Sequence, residues 1–207
     1  YVVDDISEDS LSASYLSGGI FFDGVGGKAR AINNFNEIVG QVDAENTNES
    51  SGKPRRKRGF IYPYDGEGTN DTRSARLSEQ AWWLDDLTNG GDYSDDNNQY
   101  RIIDASGIND AGVISATALK CDSGYDDTSH FATCGDGEVD EETVAVKLVP
   151  IVGATSDDIA ERSDETSTTS SRSGGSLNYF LLFTLFALFG YRGFSNGVFP
   201  RSKEQST

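Results

Sequence analysis

One turn is written twice in this chain, and it constrains the fold more than any other feature. Ile32-Asn33-Asn34-Phe35-Asn36-Glu37-Ile38 and Ile108-Asn109-Asp110-Ala111-Gly112-Val113-Ile114 share the pattern Ile-Asn-[Asn/Asp]-x-[Gly/Asn]-x-Ile. This is hairpin chemistry: a strand ends at the first Ile, a tight turn is built on Asn and Asp, and the returning strand resumes at the last Ile. The residue before the return is pushed to positive φ. Gly112 takes that conformation at little cost, and Asn36 is among the few other residues that tolerate it.

The rest of 1–151 agrees with repeated antiparallel strands. Short apolar, β-branched or aromatic runs recur at Gly19-Ile20-Phe21-Phe22, Glu37-Ile38-Val39-Gly40, Gly59-Phe60-Ile61-Tyr62, Tyr100-Arg101-Ile102-Ile103, Val113-Ile114 and Thr143-Val144-Ala145-Val146-Lys147-Leu148-Val149. Gly, Asn and Asp clusters punctuate them. The best helical candidate is 74–87, although its Trp82-Trp83 pair suits a strand equally well. The expected fold is all-β, with antiparallel short-strand repeats.

A formal net charge of -17 repels nucleic acid and favours solubility, so no nucleic-acid partner is expected. The one basic cluster, Lys53-Pro54-Arg55-Arg56-Lys57-Arg58, reads as an exposed loop partly neutralised by nearby acids. An anionic-ligand patch or a protease-sensitive site are the sharper readings of the same residues. Cys121 and Cys134 flank an acidic loop that contains His130, the single histidine. An even cysteine count in an exported protein favours a disulfide, with free thiols and a metal as alternatives. Closing that loop contributes roughly 3 kcal/mol in the chain-entropy account.

Composition changes after residue 151. Residues 152–173 carry acids, Ser and Thr with almost no large apolar side chain, the make-up of a disordered linker. Beyond Ser173-Gly174-Gly175-Ser176 comes the apolar run 177–191, then Arg192 and a polar tail over 193–207. A helix over the run spans ~22 Å, short of the ~30 Å hydrocarbon core. Positive charge after it favours a cytoplasmic C-terminus, with the acidic body outside. The chain starts at Tyr1 and lacks Met, so it is expected to be the C-terminal piece of a longer precursor.

Two resemblances follow from these motifs. The Ala31-Ile32-Asn33 to Val39-Gly40 stretch and its second copy resemble the HAF-type repeat of exported bacterial proteins. Arg58-Gly59-Phe60-Ile61-Tyr62, Trp83-Leu84-Asp85-Asp86-Leu87 and Val144-Ala145-Val146-Lys147-Leu148-Val149-Pro150 resemble the strands that follow and close that repeat. The resemblance implies stacked antiparallel sheets, propeller-like or a partial propeller. Phe35, Asn36, Ser115 and Ala116 depart from the pattern. The segment 174–192 resembles the GlyGly-CTERM sorting tail of gram-negative secreted proteins. It implies an intramembrane sorting protease as partner, processing near Gly174 and Gly175, and a protein held at or released from the cell envelope.

Motifs that carry chemistry are scarce. The sequence contains no Gly-x-Ser-x-Gly elbow, P-loop or His-Glu-x-x-His. Gly24-Val25-Gly26-Gly27-Lys28 reads as a turn, and His130 as a solvent-exposed loop residue. Two acidic runs, Asp92-Tyr93-Ser94-Asp95-Asp96-Asn97-Asn98 and Asp136-Gly137-Glu138-Val139-Asp140-Glu141-Glu142, offer hard oxygens for calcium without EF-hand spacing. Solvated loops are the default for both, and no cofactor is expected. The sequence therefore leads to a non-catalytic, exported envelope module that engages an unknown envelope or extracellular partner. The alternative is a secreted hydrolase or lectin-like binder, calcium-dependent or not, whose site lies outside this stretch.

Overall fold

A computed structural model describes residues 2–3, 13–45, 56–90 and 97–163. The linker beyond residue 163, the glycines Gly174 and Gly175, the apolar run and the polar tail lie outside the described residues. So do 53–55 of the basic cluster and 92–96 of the first acidic run.

Strands β1 (Val2–Val3) and β2 (Ala13–Ser14) pair as a small antiparallel ribbon. The first sheet is an antiparallel meander of β3 (Gly27–Ile32), β4 (Glu37–Asp43), β5 (Lys57–Pro63) and β6 (Trp82–Trp83). The second is a meander of β7 (Tyr100–Ile108), β8 (Ile114–Lys120) and β9 (Glu142–Leu148). Two short helices, α1 (Asp71–Arg76) and α2 (Leu84–Leu87), flank β6.

The repeated turn folds as its chemistry predicts. Asn36 donates its backbone N–H to Asn33 O at 3.3 Å, and Gly112 donates to Asn109 O at 2.9 Å. Both sit at positive φ, 59° and 76°. In each copy the first Asn fixes the turn through its side chain. Asn33 Oδ1 accepts from the N–H groups of Phe35 and Glu37, and Asn109 Oδ1 accepts from Val113 N–H. The likeness extends to a bulge: the β3–β4 register shifts between Ala29 and Ala31, and the β7–β8 register shifts between the equivalent Ala105 and Gly107. Gly40 follows from the tight β3–β4 pairing, because a Cβ there would lie 2.0 Å from Lys28 O.

The two turns also bind each other. Asn34 donates its backbone N–H and its Nδ2 to the two carboxylate oxygens of Asp110 at 3.0 and 2.8 Å. Asn33 Nδ2 donates to Asn109 O at 3.1 Å. Arg73 of α1 spans the joint: it donates to both oxygens of Glu37 and, at 2.6 Å, to Asp110 O, while its guanidinium lies over Phe35. Arg30 at the bulge pairs with Asp104.

Alternation places Val39, Ile61 and Trp82 of the first sheet against Ile102, Ala105, Ile114, Ala116 and Ala118 of the second, forming the main core. The opposite face of the first sheet carries Ile38, Val42 and Phe60, packed under Leu16, Ile20, Phe21 and Val25. With both faces covered, β4 is buried at six of its seven residues, and its end residues Glu37 and Asp43 are buried acids paired with Arg73 and Lys57. On the outer face of the second sheet, Ser115, Thr143, Ala145 and Lys147 are exposed.

Three expectations need correction. The run at 19–22 forms turns and an isolated Gly18–Phe21 bridge, because positive φ at Gly18, Gly19 and Gly24 bends it away from a strand. The helical candidate 74–87 is broken: Ser78 and Glu79 take positive φ, and Trp82-Trp83 pairs with β5. The packed body does not stop at residue 151. Ile159 joins the main core and Arg162 is buried, so 152–163 belongs to the body despite its polar composition.

Two outcomes follow for the full chain in urea. Gly112→Ala loses about 1–2 kcal/mol, since a Cβ there must take positive φ beside Pro150 and Arg73. Asn36→Gly stays within a few tenths of a kcal/mol of the parent, roughly the cost of an αL Asn. An unaffected Gly112→Ala variant removes the turn argument. The Asp110 carboxyl is held below its ordinary value, first by the backbone N–H of Asn34 and then by its side chain. Its folded-state pKa is the lower one, so its support is complete above the ordinary value and is lost as pH falls through the folded one. Asp110→Asn is expected to flatten the acid limb of stability against pH, and an unchanged limb contradicts the joint.

Candidate functional site

The densest chemistry in the body lies inside it. Three motifs that look unrelated in sequence meet there. Arg58 opens the Arg58-Gly59-Phe60-Ile61-Tyr62 strand, Asp85 and Asp86 sit in the four-residue helix α2, and Arg101 interrupts the apolar start of β7. Arg162 arrives from the segment after β9. All five are at most 4% exposed.

Asp85 organises the first half. One carboxylate oxygen accepts from Ile102 N–H at 2.8 Å, tying α2 to β7, and the other lies 3.2 Å from Arg58 Nε. Asp86 Oδ1 takes Arg162 N–H at 2.8 Å and faces His130 Nε2 at 2.9 Å. The His130 ring stands edge-on to Trp83, 4.3 Å between centroids.

The loop between the two cysteines supplies the other half. Four successive carbonyls point inward at the arginines. Asp127 O and Ser129 O accept from Arg101, Thr128 O accepts from Arg162, and His130 O accepts from Arg58, at 2.6 to 3.1 Å. Asn98 Oδ1 accepts from both Arg101 and Arg162. Arg101 also lies over the Tyr125 ring at 4.1 Å. Of the three guanidinium groups only Arg58 meets a carboxylate, that of Asp85, while Arg101 and Arg162 rest on carbonyl oxygens and Asn98 Oδ1. Burial lowers all three arginine pKa values, with Arg101 brought to about 10 by burial and then by neighbouring Arg162. The Tyr125 hydroxyl is pushed up by burial and by its bond to Glu141.

Cys121 and Cys134 form the disulfide that closes this loop, with Cα atoms 5.7 Å apart. They make a small core of their own with Tyr125 and Ala132. Beside it runs a cleft of about 470 Å³, lined in part by Arg56, Lys57, Tyr125, Cys134 and Glu141.

Two expectations change here. His130 is not a solvated loop residue: it is 1% exposed, held between Asp86 and Trp83. Residues 56–58 of the basic cluster are not a free loop either. Arg58 is buried against Asp85, Lys57 pairs with Asp43, and Arg56 pairs with Glu45 and lies over Phe131. Ser129 Oγ and His130 Nδ1 are both buried without a hydrogen-bond partner, so the nucleophile–base bond of a Ser-His-Asp relay is not made. Among the described residues, no group of three or more His, Cys, Asp or Glu side chains is placed to hold a metal. In the run 136–142, Glu141 instead accepts from Tyr125, and Asp136 N–H is bonded to Asp126. Also among the described residues, no helix is long and apolar enough to cross a membrane.

Sequence reading missed Arg101 and Arg162. The available signal was an arginine set inside an otherwise apolar strand, Tyr100-Arg101-Ile102-Ile103, which needs buried acceptors somewhere in the fold.

A protein-family model described as "Protein of unknown function (DUF3466)" matches residues 3–193. The chain belongs to the DUF3466 family. The match takes in the described body from residue 3 to residue 163 and continues through the linker and the apolar run. No curated protein and no solved structure matches the chain.

The knot makes a graded prediction. Asp85→Ala strands Arg58 in the interior and frees Ile102 N–H, and costs about 3–5 kcal/mol in urea unfolding of the full chain. Asp122→Ala breaks the exposed, solvent-screened Lys120 pair and leaves stability nearly unchanged. Equal losses at the two sites would show that the buried network has no special weight.

Proposed function

We propose that this DUF3466 chain is a non-catalytic, exported β-repeat module of a gram-negative cell envelope, sorted or anchored through residues 174–192. The observation that carries this reading is the Cys121–Cys134 disulfide at the centre of its own small core. Disulfides built into a fold in this way belong to oxidising compartments. The acidic surface and the glycines followed by an apolar run are consistent with the same address.

The body is a structural or interaction module, an open stack of β-blades of the HAF-repeat kind rather than a closed ring. Support comes from how the two sheets differ at matched positions. Val39 and Ile61 of the first sheet receive the second sheet. The second sheet has exposed Ser115 and Lys147 in those places, which suits a terminal blade with a polar outer face.

The test is fractionation of cells expressing the precursor, followed by intact mass of the mature chain. A surface or released form ending near Gly174-Gly175 supports export with processing. A membrane-bound form that retains 177–207 supports export with a plain anchor. A cytoplasmic form of full length ends the export reading.

A further inference from the structure

The last packed segment, 159–163, is held from two sides. On one side Asn89 Nδ2 donates to Ala160 O, Arg162 N–H to Asp86 Oδ1, and Arg162 Nε to Asp85 O, all within the first-sheet half. On the other side is the disulfide loop. Thr128 O accepts from Arg162 at 2.9 Å, and His130 N–H donates to Ser163 O at 3.0 Å. His130 also faces Asp86, the residue that accepts from Arg162 N–H. The loop thus covers the strap and keeps Arg162 out of water.

Outside the disulfide the loop is held mainly by polar bonds, its carbonyls 127–130 to Arg58, Arg101 and Arg162 and Tyr125 to Asn98 and Glu141. Its own core consists of Cys121, Tyr125 and Cys134 with Ala132, separate from both cores under the sheets. Remove the sulfur bond and this cluster loses its centre, while the sheet cores keep every residue. The loop is therefore a local unit, able to open below the global unfolding free energy.

We propose that Cys121–Cys134 is a redox latch on the strap 159–163: closed, it clamps the strap to the body; reduced, it releases loop and strap together while both sheets stay folded. The route in is the cleft, whose wall includes the largely buried Cys134 (3% exposed) and not the fully buried Cys121. A dithiol reductant attacks Cys134 Sγ as thiolate and forms a mixed disulfide, and Cys121 leaves as thiolate and is protonated. The second reductant thiol then attacks its own mixed-disulfide sulfur and frees Cys134. Two electrons and two protons reach the protein, and the reductant ends as a cyclic disulfide.

Hydrogen exchange with mass analysis of the full chain tests it, with and without dithiothreitol. Reduction is expected to speed exchange in peptides covering 121–134 and 159–163 by about tenfold or more, with β4 and β8 still protected. Cys121→Ser with Cys134→Ser should reproduce that pattern without reductant. Arg162→Ala, with the disulfide intact, should release 159–163 and leave most of 121–134 protected. The proposal is overturned if 159–163 stays protected after reduction, or if the sheets lose protection in the same step. A double-serine variant that fails to fold counts with the second result.

Discussion

Burying a guanidinium group is costly unless most of its donors find acceptors, and this body buries three, each with one nitrogen (Arg58 Nε, Arg101 Nε, Arg162 Nη2) left without a hydrogen-bond partner. The one carboxylate that meets a guanidinium, Asp85 beside Arg58, cannot satisfy them alone. The remaining acceptors are carbonyls, and four of these come from consecutive residues, 127 to 130. A loop presenting four successive carbonyls inward has almost no conformational freedom left. Its closure by the disulfide and the burial of the arginines are therefore one constraint. Arg58 belongs to the first sheet, Arg101 to the second and Arg162 to the terminal strap, so the same loop ties all three to α2.

The two sheets are versions of one unit that have diverged on their outer faces. Turn, positive-φ residue and bulge recur in both copies. Position by position, Ile38 of the first sheet corresponds to Ile114 and Val42 to Ala118, and these second-sheet residues make the inter-sheet contact. The first sheet turns its Ile38 and Val42 face towards the N-terminal stretch, whose Leu16, Ile20 and Phe21 cover it. Phe21 meets Phe60 and Tyr62 edge-on at 5.3 and 5.8 Å. The stacking rule inside the molecule is thus directional: each sheet offers the Ile38-type face backwards and, where another follows, the Val39-type face forwards. Ser115 and Lys147 end that sequence.

Local chemistry was legible in the sequence, and long-range polar pairing was not. The hairpins could be read because Asn33, Asn36, Asn109 and Gly112 act within a few residues of themselves. The strands at 37–40, 59–62, 100–103 and 143–149 could be read because alternation and turn punctuation are local too. The disulfide was readable from two cysteines and an inferred compartment. The fate of His130 and Arg162 was hidden, since their partners lie in α2 and in a loop far along the chain. The segment 152–163 misled for a similar reason. Its composition has few large apolar residues, Val152 and Ile159, and it is held chiefly by Ile159 and by Arg162, whose acceptors belong to other elements. Trp82-Trp83 was ambiguous by period, and register with Phe60 and Ile61 decided it.

Arginine, rather than lysine, is what this interior requires. Arg101 reaches the carbonyls of residues 98, 100, 127 and 129 and lies over Tyr125 at the same time, which needs a flat fork of several donors. Arg162 reaches Asp85 O, Asn98 Oδ1 and Thr128 O from one side chain. An ammonium group can offer its three donors only from a single point. Networks of this kind add little net stability over an apolar core, but each wrong register leaves a buried charge unmet. The knot is best understood as fixing position: of α2 against β7, of the loop against both, and of the strap 159–163 against α2 and the loop.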